Sequence, residues 1–287
     1  MPQRAYYLSL PQKRSTSVVF ASPHSGRDYP DGFLRRTRLD RHRVRSSEDA
    51  FVDDLFDGAP RTGASLLCAG APRAFVDFNR AADELDPALI EGVRTTGHNP
   101  RITSGLGVIP RVVANGKAIY TGKITLEEAR QRIDRYWRPY HQALQGELDQ
   151  AYGLFGQAIL IDCHSMPHEA MESATQSGTP RAQVVLGDRF GASAQSGIVE
   201  QIEAAFQAAD FIVARNVPFA GAYTTQHYGR PARNRHAIQI EIDRALYMDE
   251  KRITPRADYA AFKARLHLVI ASISDIGRPR TDRLAAE

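Results

Sequence analysis

Short apolar, β-branched runs recur along the chain, each bounded by glycine, proline or polar residues: 17–21, 65–69, 74–78, 158–163, 183–187, 211–214 and 237–242. Runs of four to six such residues read as strands. Between them the hydrophobic period lengthens to that of a helix over 49–57, 125–152, 189–208 and 257–274. Thr125 stands where an N-cap belongs, with Glu127 and Glu128 in the first turn. Strands alternating with helices predict an α/β fold, a layered sheet covered on both faces. Two stretches break the pattern. Residues 81–122 and 167–181 are rich in Gly, Pro, Asn and charge without clear periodicity, and excursions of that length in a compact domain are usually functional loops.

The ends of the strand-like runs carry the chemistry. His24 follows 17–21 in Ser22-Pro23-His24-Ser25-Gly26, and His164 ends 158–163 in Asp162-Cys163-His164-Ser165. The acidic pair Glu48-Asp49 opens the first helical pattern, and Glu241 interrupts the apolar run Ile238-Gln239-Ile240-Glu241-Ile242. A carboxylate in a buried strand is costly unless something holds it there. A catalytic zinc takes three nitrogen or oxygen ligands from the protein and keeps one position open, and His24, His164 and one of Glu48 or Asp49 supply such a set. Open α/β sheets bind ligands beyond the carboxyl ends of their strands, where both histidines stand. A lone histidine at a strand end is ordinarily just hydrogen-bonded. The joint occurrence with Glu241, and with Asp77-Phe78-Asn79-Arg80 ending another run, is what points to a site.

Two other motifs lead elsewhere. Cys163 adjoins His164, but strand neighbours face opposite sides, so the pair cannot act as thiolate and base, and Cys163 is expected in the core. Gly105-Leu106-Gly107 lacks the strand–GxGxxG–helix context of a dinucleotide site and reads as a turn presenting Arg111.

At 287 residues with 43% hydrophobic content the chain can bury a sizeable core, and one domain spanning 1–287 is expected. The net charge of +4 comes from basic residues scattered among acids rather than gathered in a stripe, so neither nucleic acid nor a membrane is the expected partner. Cys68 and Cys163 lie in apolar runs and read as buried thiols. No stretch reaches the roughly 18 consecutive apolar residues of a membrane span, and no signal-peptide pattern opens the chain, so a soluble, cytoplasmic protein is expected.

The motifs also match a family in order and spacing. Pro23-His24-Ser25-Gly26, the segment from Glu48 to Phe56, Val76-Asp77-Phe78-Asn79-Arg80, Gly105 to Arg111, Asp162 to Met166, Asn216 to Gly221 and Ala237 to Arg244 resemble the N-formylglutamate amidohydrolases. The resemblance runs from about residue 17 to about 250 and is specific because independent motifs agree. That family sits within the wider zinc hydrolases that include carboxypeptidases, aspartoacylases and cell-wall amidases. The resemblance implies a three-layer α/β/α sandwich around a mixed, mostly parallel sheet, zinc-exopeptidase (phosphorylase/hydrolase)-like.

It further implies one Zn2+ per chain on His24, Asp49 and His164, with Glu48 the alternative acid and Co2+, Mn2+, Fe2+ or Ni2+ able to replace zinc. Glu241 takes the place of general base and acid. Asn79 and Arg80 resemble a pair that holds a substrate carboxylate, and Asp162 could orient a ligand histidine. A second carboxylate would fall to Arg111 or Arg73, with Tyr223 and His227 as further substrate contacts. The implied reaction is hydrolysis of a small anionic N-acyl amino acid, N-formyl-L-glutamate, to formate and L-glutamate, in histidine degradation. The alternatives are another N-acyl amino acid, a peptide amide, or metal-free binding of an acidic ligand without turnover.

Overall fold

The computed structural model describes residues 1–94, 99–174 and 180–279. Seven strands form one sheet: β1 (Tyr6–Ser9), β2 (Val18–Ser22), β3 (Ser65–Ala69), β4 (Ala158–Met166), β5 (Val184–Gly187), β6 (Val213–Arg215) and β7 (Arg235–Asp243), in spatial order β1-β3-β2-β4-β7-β5-β6. The central strands β3, β2, β4 and β7 are parallel, while β1 and the β5–β6 pair run against them. The sheet is therefore mixed and mostly parallel. In chain order the helices are α1 (Asp31–Leu34), α2 (Val52–Leu55), α3 (Pro100–Thr103), α4 (Leu126–Arg132), α5 (Arg138–Phe155), α6 (His168–Ala174), α7 (Ser196–Ala208), α8 (Tyr223–Tyr228) and α9 (Tyr259–Ile276).

Alternation along the strands divides the core in two. Val18, Phe20, Ile159, Ile161, Cys163, Ile238, Ile240 and Ile242 pack against α2, α7 and α9 on one face. Val19, Ala21, Leu160 and Ala237 pack on the other against α5, the α4–α5 junction and the segments 71–93 and 108–124. On this second face the strands change character toward their carboxyl ends. Leu160 is followed at two-residue steps by Asp162 and His164, and Ala237 by Gln239 and Glu241, and the parallel register pairs Asp162 with Gln239 and His164 with Glu241. Cys163 lies on the opposite face in the core, and it and Cys68 are buried free thiols.

Several expected elements differ. The run 74–78 is not a strand: Phe75 N and Val76 N both donate to the Pro72 carbonyl, folding the segment into a turn. Its apolar residues are buried because they pack under α4 and α5, a reason for hydrophobicity that mimics a strand. The helix expected from residue 49 contains only Val52–Leu55, because Phe51 adopts a left-handed φ of 69° just before it, and Glu48-Asp49 lie in the preceding loop. The helix expected from 189 starts at Ser196, since Arg189, Phe190 and Gly191 all have positive φ. β1 carries no strong pattern because it is a half-exposed edge strand.

The long helical run over 125–152 is capped as expected, Thr125 Oγ1 accepting from Glu128 N at 3.1 Å. It is interrupted by a π-helical turn over Ile133–Trp137, just before Pro139. Of the two irregular stretches, 81–122 holds α3 and 167–181 holds α6; residues 95–98 and 175–179 lie outside the described residues. Among the described residues no helix is long and apolar enough to cross a membrane.

Candidate metal centre and active site

β2 and β4 run parallel, so their carboxyl ends bring His24 and His164 to one edge, with ring centroids 4.7 Å apart. Asp49 reaches the same point from its loop, where its backbone N–H donates to the His24 carbonyl at 3.0 Å. One ligand atom from each of His24, Asp49 and His164 lies within 4.8 Å of the others, and all three residues are buried. Glu48 is turned away, its carboxylate held by Arg45 at 2.9 Å and by the Tyr29 hydroxyl at 3.1 Å. The structure thus places Asp49, not Glu48, between the histidines.

The outer contacts fix what these atoms present. His24 Nε2–H donates to Asp77 Oδ1 at 2.7 Å, and His164 Nε2 stands 3.1 Å from Asp162 Oδ2. Carboxylates only accept, so His24 keeps its proton on Nε2 and turns its Nδ1 lone pair inward, while His164 Nε2 also meets the Asn79 amide nitrogen at 3.2 Å. Both Nδ1 atoms face Asp49 Oδ2, at 3.4 Å from His24 and 3.0 Å from His164, and His24 Nδ1 has no hydrogen-bond partner among the described residues. The other carboxylate oxygen, Asp49 Oδ1, accepts from Arg244 Nη2 at 2.8 Å. Out of water these atoms require positive charge between them, either a proton on His164 Nδ1 donated to Asp49 or a metal ion. The donor set therefore fits one cation.

The electrostatics show the same demand for positive charge. Burial opposes charge on His164, yet Asp162 and Asp49 beside it hold its proton affinity well above the ordinary histidine value. Burial would raise Asp49 too, but both imidazoles and Arg244 hold it well below the usual carboxylate range. Asp77 is held low in the same way, against burial, by His24, Arg73 and Arg80. Glu241 goes the other way: it is buried beside the three ligands, and burial raises its carboxyl to about 7. Gln239 Nε2 donates to Glu241 Oε1 at 2.8 Å, leaving Oε2 for other work.

His24, Asp49, His164, Gln239, Glu241 and Arg244 line a cavity of about 630 Å³ together with Arg73, Asn79, Arg80 and Arg101. Asn79 borders it, but its amide is used internally: Oδ1 accepts from Thr224 N at 2.8 Å, and Nδ2 lies 3.2 Å from His164 Nε2 and 3.5 Å from both Asp162 and Gln239. Arg80 donates to the carbonyls of Leu106 and Asn79 at 2.8 and 2.7 Å and still borders the cavity. Arg111 does not line it. Its guanidinium binds Asp86 Oδ2 at 2.8 Å and the Thr103 carbonyl at 3.2 Å, so the turn presents Arg111 to its own loop instead of to the site. Tyr223 and His227 stack on each other at 5.0 Å and border a neighbouring cavity of about 660 Å³, which Arg101 also borders.

The family model for N-formylglutamate amidohydrolase matches residues 16–248. The chain belongs to this family. It is 30% identical over 243 residues to the N-formylglutamate deformylase of Pseudomonas aeruginosa, covering 83% of this chain and 85% of that one. With the N-formylglutamate deformylase of Pseudomonas putida it shares 29% identity over 247 residues, 85% of this chain and 86% of that one. The crystal structure of N-formylglutamate amidohydrolase from Ralstonia eutropha JMP134 superposes with a TM-score of 0.88 at 37% identity, covering 95% of this chain and 98% of that chain.

Within this N-formylglutamate amidohydrolase family member, sequence reasoning left Asp77, Gln239, Arg244 and Arg101 without roles. Asp77 had a usable signal, because it is an acid inside an apolar run, the same anomaly that singled out Glu241. Arg101 had none, since it is exposed and lies among other polar loop residues.

The segment carrying Asn79 and Arg80 is braced from behind. His141 Nε2–H donates to the Phe78 carbonyl at 2.9 Å while Nδ1 accepts from the Tyr228 hydroxyl at 2.8 Å, and Trp137 Nε1 donates to the Arg80 carbonyl at 2.9 Å. Burial pushes His141 down to about 3. An unfolded histidine near 6.5 binds more protons than this one between those values, so stability falls as pH drops through that window. By pH 5 the loss from His141 alone is ~2 kcal/mol. Urea unfolding at pH 7 and pH 5 should show His141→Gln losing about 2 kcal/mol less than wild type over that interval. Equal losses would show that His141 is not the group responsible.

Proposed function

We propose that the protein is a metal-dependent N-formylglutamate deformylase, cleaving the formyl amide of N-formyl-L-glutamate to formate and L-glutamate in a single domain. His24, Asp49 and His164 would hold the cation, Zn2+ first and Co2+, Mn2+, Fe2+ or Ni2+ as substitutes. Bound there, it would supply Lewis acidity, polarising a carbonyl and lowering the pKa of water. The observation that carries the reading is the buried convergence of two histidine Nδ1 atoms on one carboxylate oxygen beside Glu241, in a chain of this family.

The chain's own groups account for the remaining tasks. Glu241 Oε2, left free by the Gln239 contact to Oε1, takes the proton of the attacking water and returns it to the departing glutamate nitrogen. A carboxyl raised to about 7 suits both directions, because it accepts and releases a proton at little cost near neutral pH. Asp77, Asp162 and Arg244 fix His24, His164 and Asp49 in the orientations described, so no reorganisation is needed during the reaction. Arg80, anchored through two carbonyls, holds the substrate's α-carboxylate. A cytoplasmic setting and a place in histidine degradation accompany this reading.

The deciding experiment is metal analysis of the purified protein together with an assay of formate release from N-formyl-L-glutamate. Metal-loaded protein that releases formate supports the reading; metal-loaded protein silent on this substrate overturns the substrate assignment and turns the search to other N-acyl amino acids. Arg80→Met is expected to lower kcat/KM about 30- to 100-fold, chiefly through KM, with its melting temperature as the control for folding. Unchanged KM would remove Arg80 from substrate binding.

A further inference from the structure

The cavity beside Glu241 holds more positive charge than its own acids neutralise. Arg244 is matched by Asp49 and Arg73 by Asp77, but Arg80 and Arg101 pair with no carboxylate among the described residues. Arg80 is buried, and after burial and the opposing pull of Asp77, the like charges of Arg73 and Arg101 both disfavour its ionised form. Cations facing one another across a cavity repel, and an anionic ligand relieves that repulsion.

The two unpaired guanidinia sit at different depths. Arg80 is 6% exposed and lies beside Asn79, while Arg101 stands exposed on α3, on the wall that the metal cavity shares with its neighbour. In N-formylglutamate the α-carboxylate is attached to the carbon bearing the scissile nitrogen, and the side-chain carboxylate is two methylenes further out. With the formyl group at the ligand cluster, the nearer carboxylate meets the deeper arginine and the farther one the rim arginine.

α3 is fixed at both ends. Asn99 caps it, Oδ1 accepting from Arg101 N at 3.0 Å and from Ile102 N at 3.4 Å. From the other side Arg111, itself fixed by Asp86, donates to the Thr103 carbonyl. Arg111, which with Arg73 was one of two candidates from sequence for the second clamp, thus anchors the short helix that carries Arg101.

We propose that Arg101 selects for the side-chain carboxylate of the substrate, with Arg111 as a positioning residue acting through it. This rests on the deformylase reading. The test compares N-formyl-L-glutamate with N-formyl-L-glutamine, in which that carboxylate becomes a neutral amide of nearly the same shape. The ratio of kcat/KM on the two, high in wild type, is expected to fall about 30-fold in Arg101→Met and by a smaller factor in Arg111→Gln, the loss of one charge-assisted contact. In Arg80→Met the ratio should hold while both values fall together, because both compounds keep the α-carboxylate. A wild-type ratio near unity, or an unchanged ratio in Arg101→Met, overturns the proposal.

If wild type released formate from neither compound, the deformylase reading would fail on its own account. Titration calorimetry of the two compounds would then supply the same ratio as affinities. A binding ratio that collapses in Arg101→Met supports Arg101; one that does not overturns it.

Discussion

Glu241→Gln is expected to lower kcat for formate release by about a thousandfold, within the hundred- to ten-thousandfold range of general acid–base catalysis, while metal content and melting temperature stay at wild-type values. The substitution keeps the side chain's volume and an oxygen for Gln239 Nε2 to donate to, so the strand and its register with His164 have no reason to move. What it removes is the only property the reaction needs there, a group that both accepts and releases a proton. The measurement is steady-state turnover on N-formyl-L-glutamate alongside metal analysis of the same preparation. A variant with full metal and more than a tenth of wild-type kcat would show that the proton passes through another group.

The burial of Glu241 beside the histidines was legible in the sequence. An acid in the run Ile238 to Ile242 is an energetic anomaly, and strand alternation places it on the face opposite Ile240, where Gln239 and His164 also lie. His24 and His164 were legible as strand-end residues because the parallel β2–β4 pair carries both to one edge. The sheet followed from the same pattern, which separates two apolar faces at two-residue steps. The failures have separate physical sources. Residues 74–78 are apolar and buried without being in the sheet, so burial was read as strand, and Asp77, the carboxylate that orients His24, was seen as a strand ending rather than a partner. Arg111 was misread because a turn rich in glycine does not reveal which way its arginine points; only the contacts to Asp86 and Thr103 show that it faces its own loop. Tyr223 and His227 lie on α8 beside the site, and the neighbouring cavity they border is not encoded in any local pattern.

His164→Ala is expected to abolish both cation binding and turnover, and the outer carboxylates should grade the effect. Removing the imidazole takes away one of three ligands and leaves Asp49 without its 3.0 Å neighbour, with Arg244 still bound to the opposite oxygen. Two protein ligands do not make a catalytic zinc site, so metal analysis after exhaustive dialysis should find the variant below a tenth of wild-type occupancy. Asp77→Asn tests the same architecture one contact further out. An amide can accept from His24 Nε2–H but carries no charge, so it orients the ring without raising its basicity, and metal affinity should fall about 10- to 100-fold instead of vanishing. Loss of the Asp77 charge also leaves Arg73 without its partner at the cavity, which makes cation entry less favourable in the same direction. The graded series separates a metal centre from a merely buried polar cluster. If the ligands serve only to satisfy one another, His164→Ala and Asp77→Asn should both lower the melting temperature while competition with a chelator shows no difference in metal affinity among the three proteins.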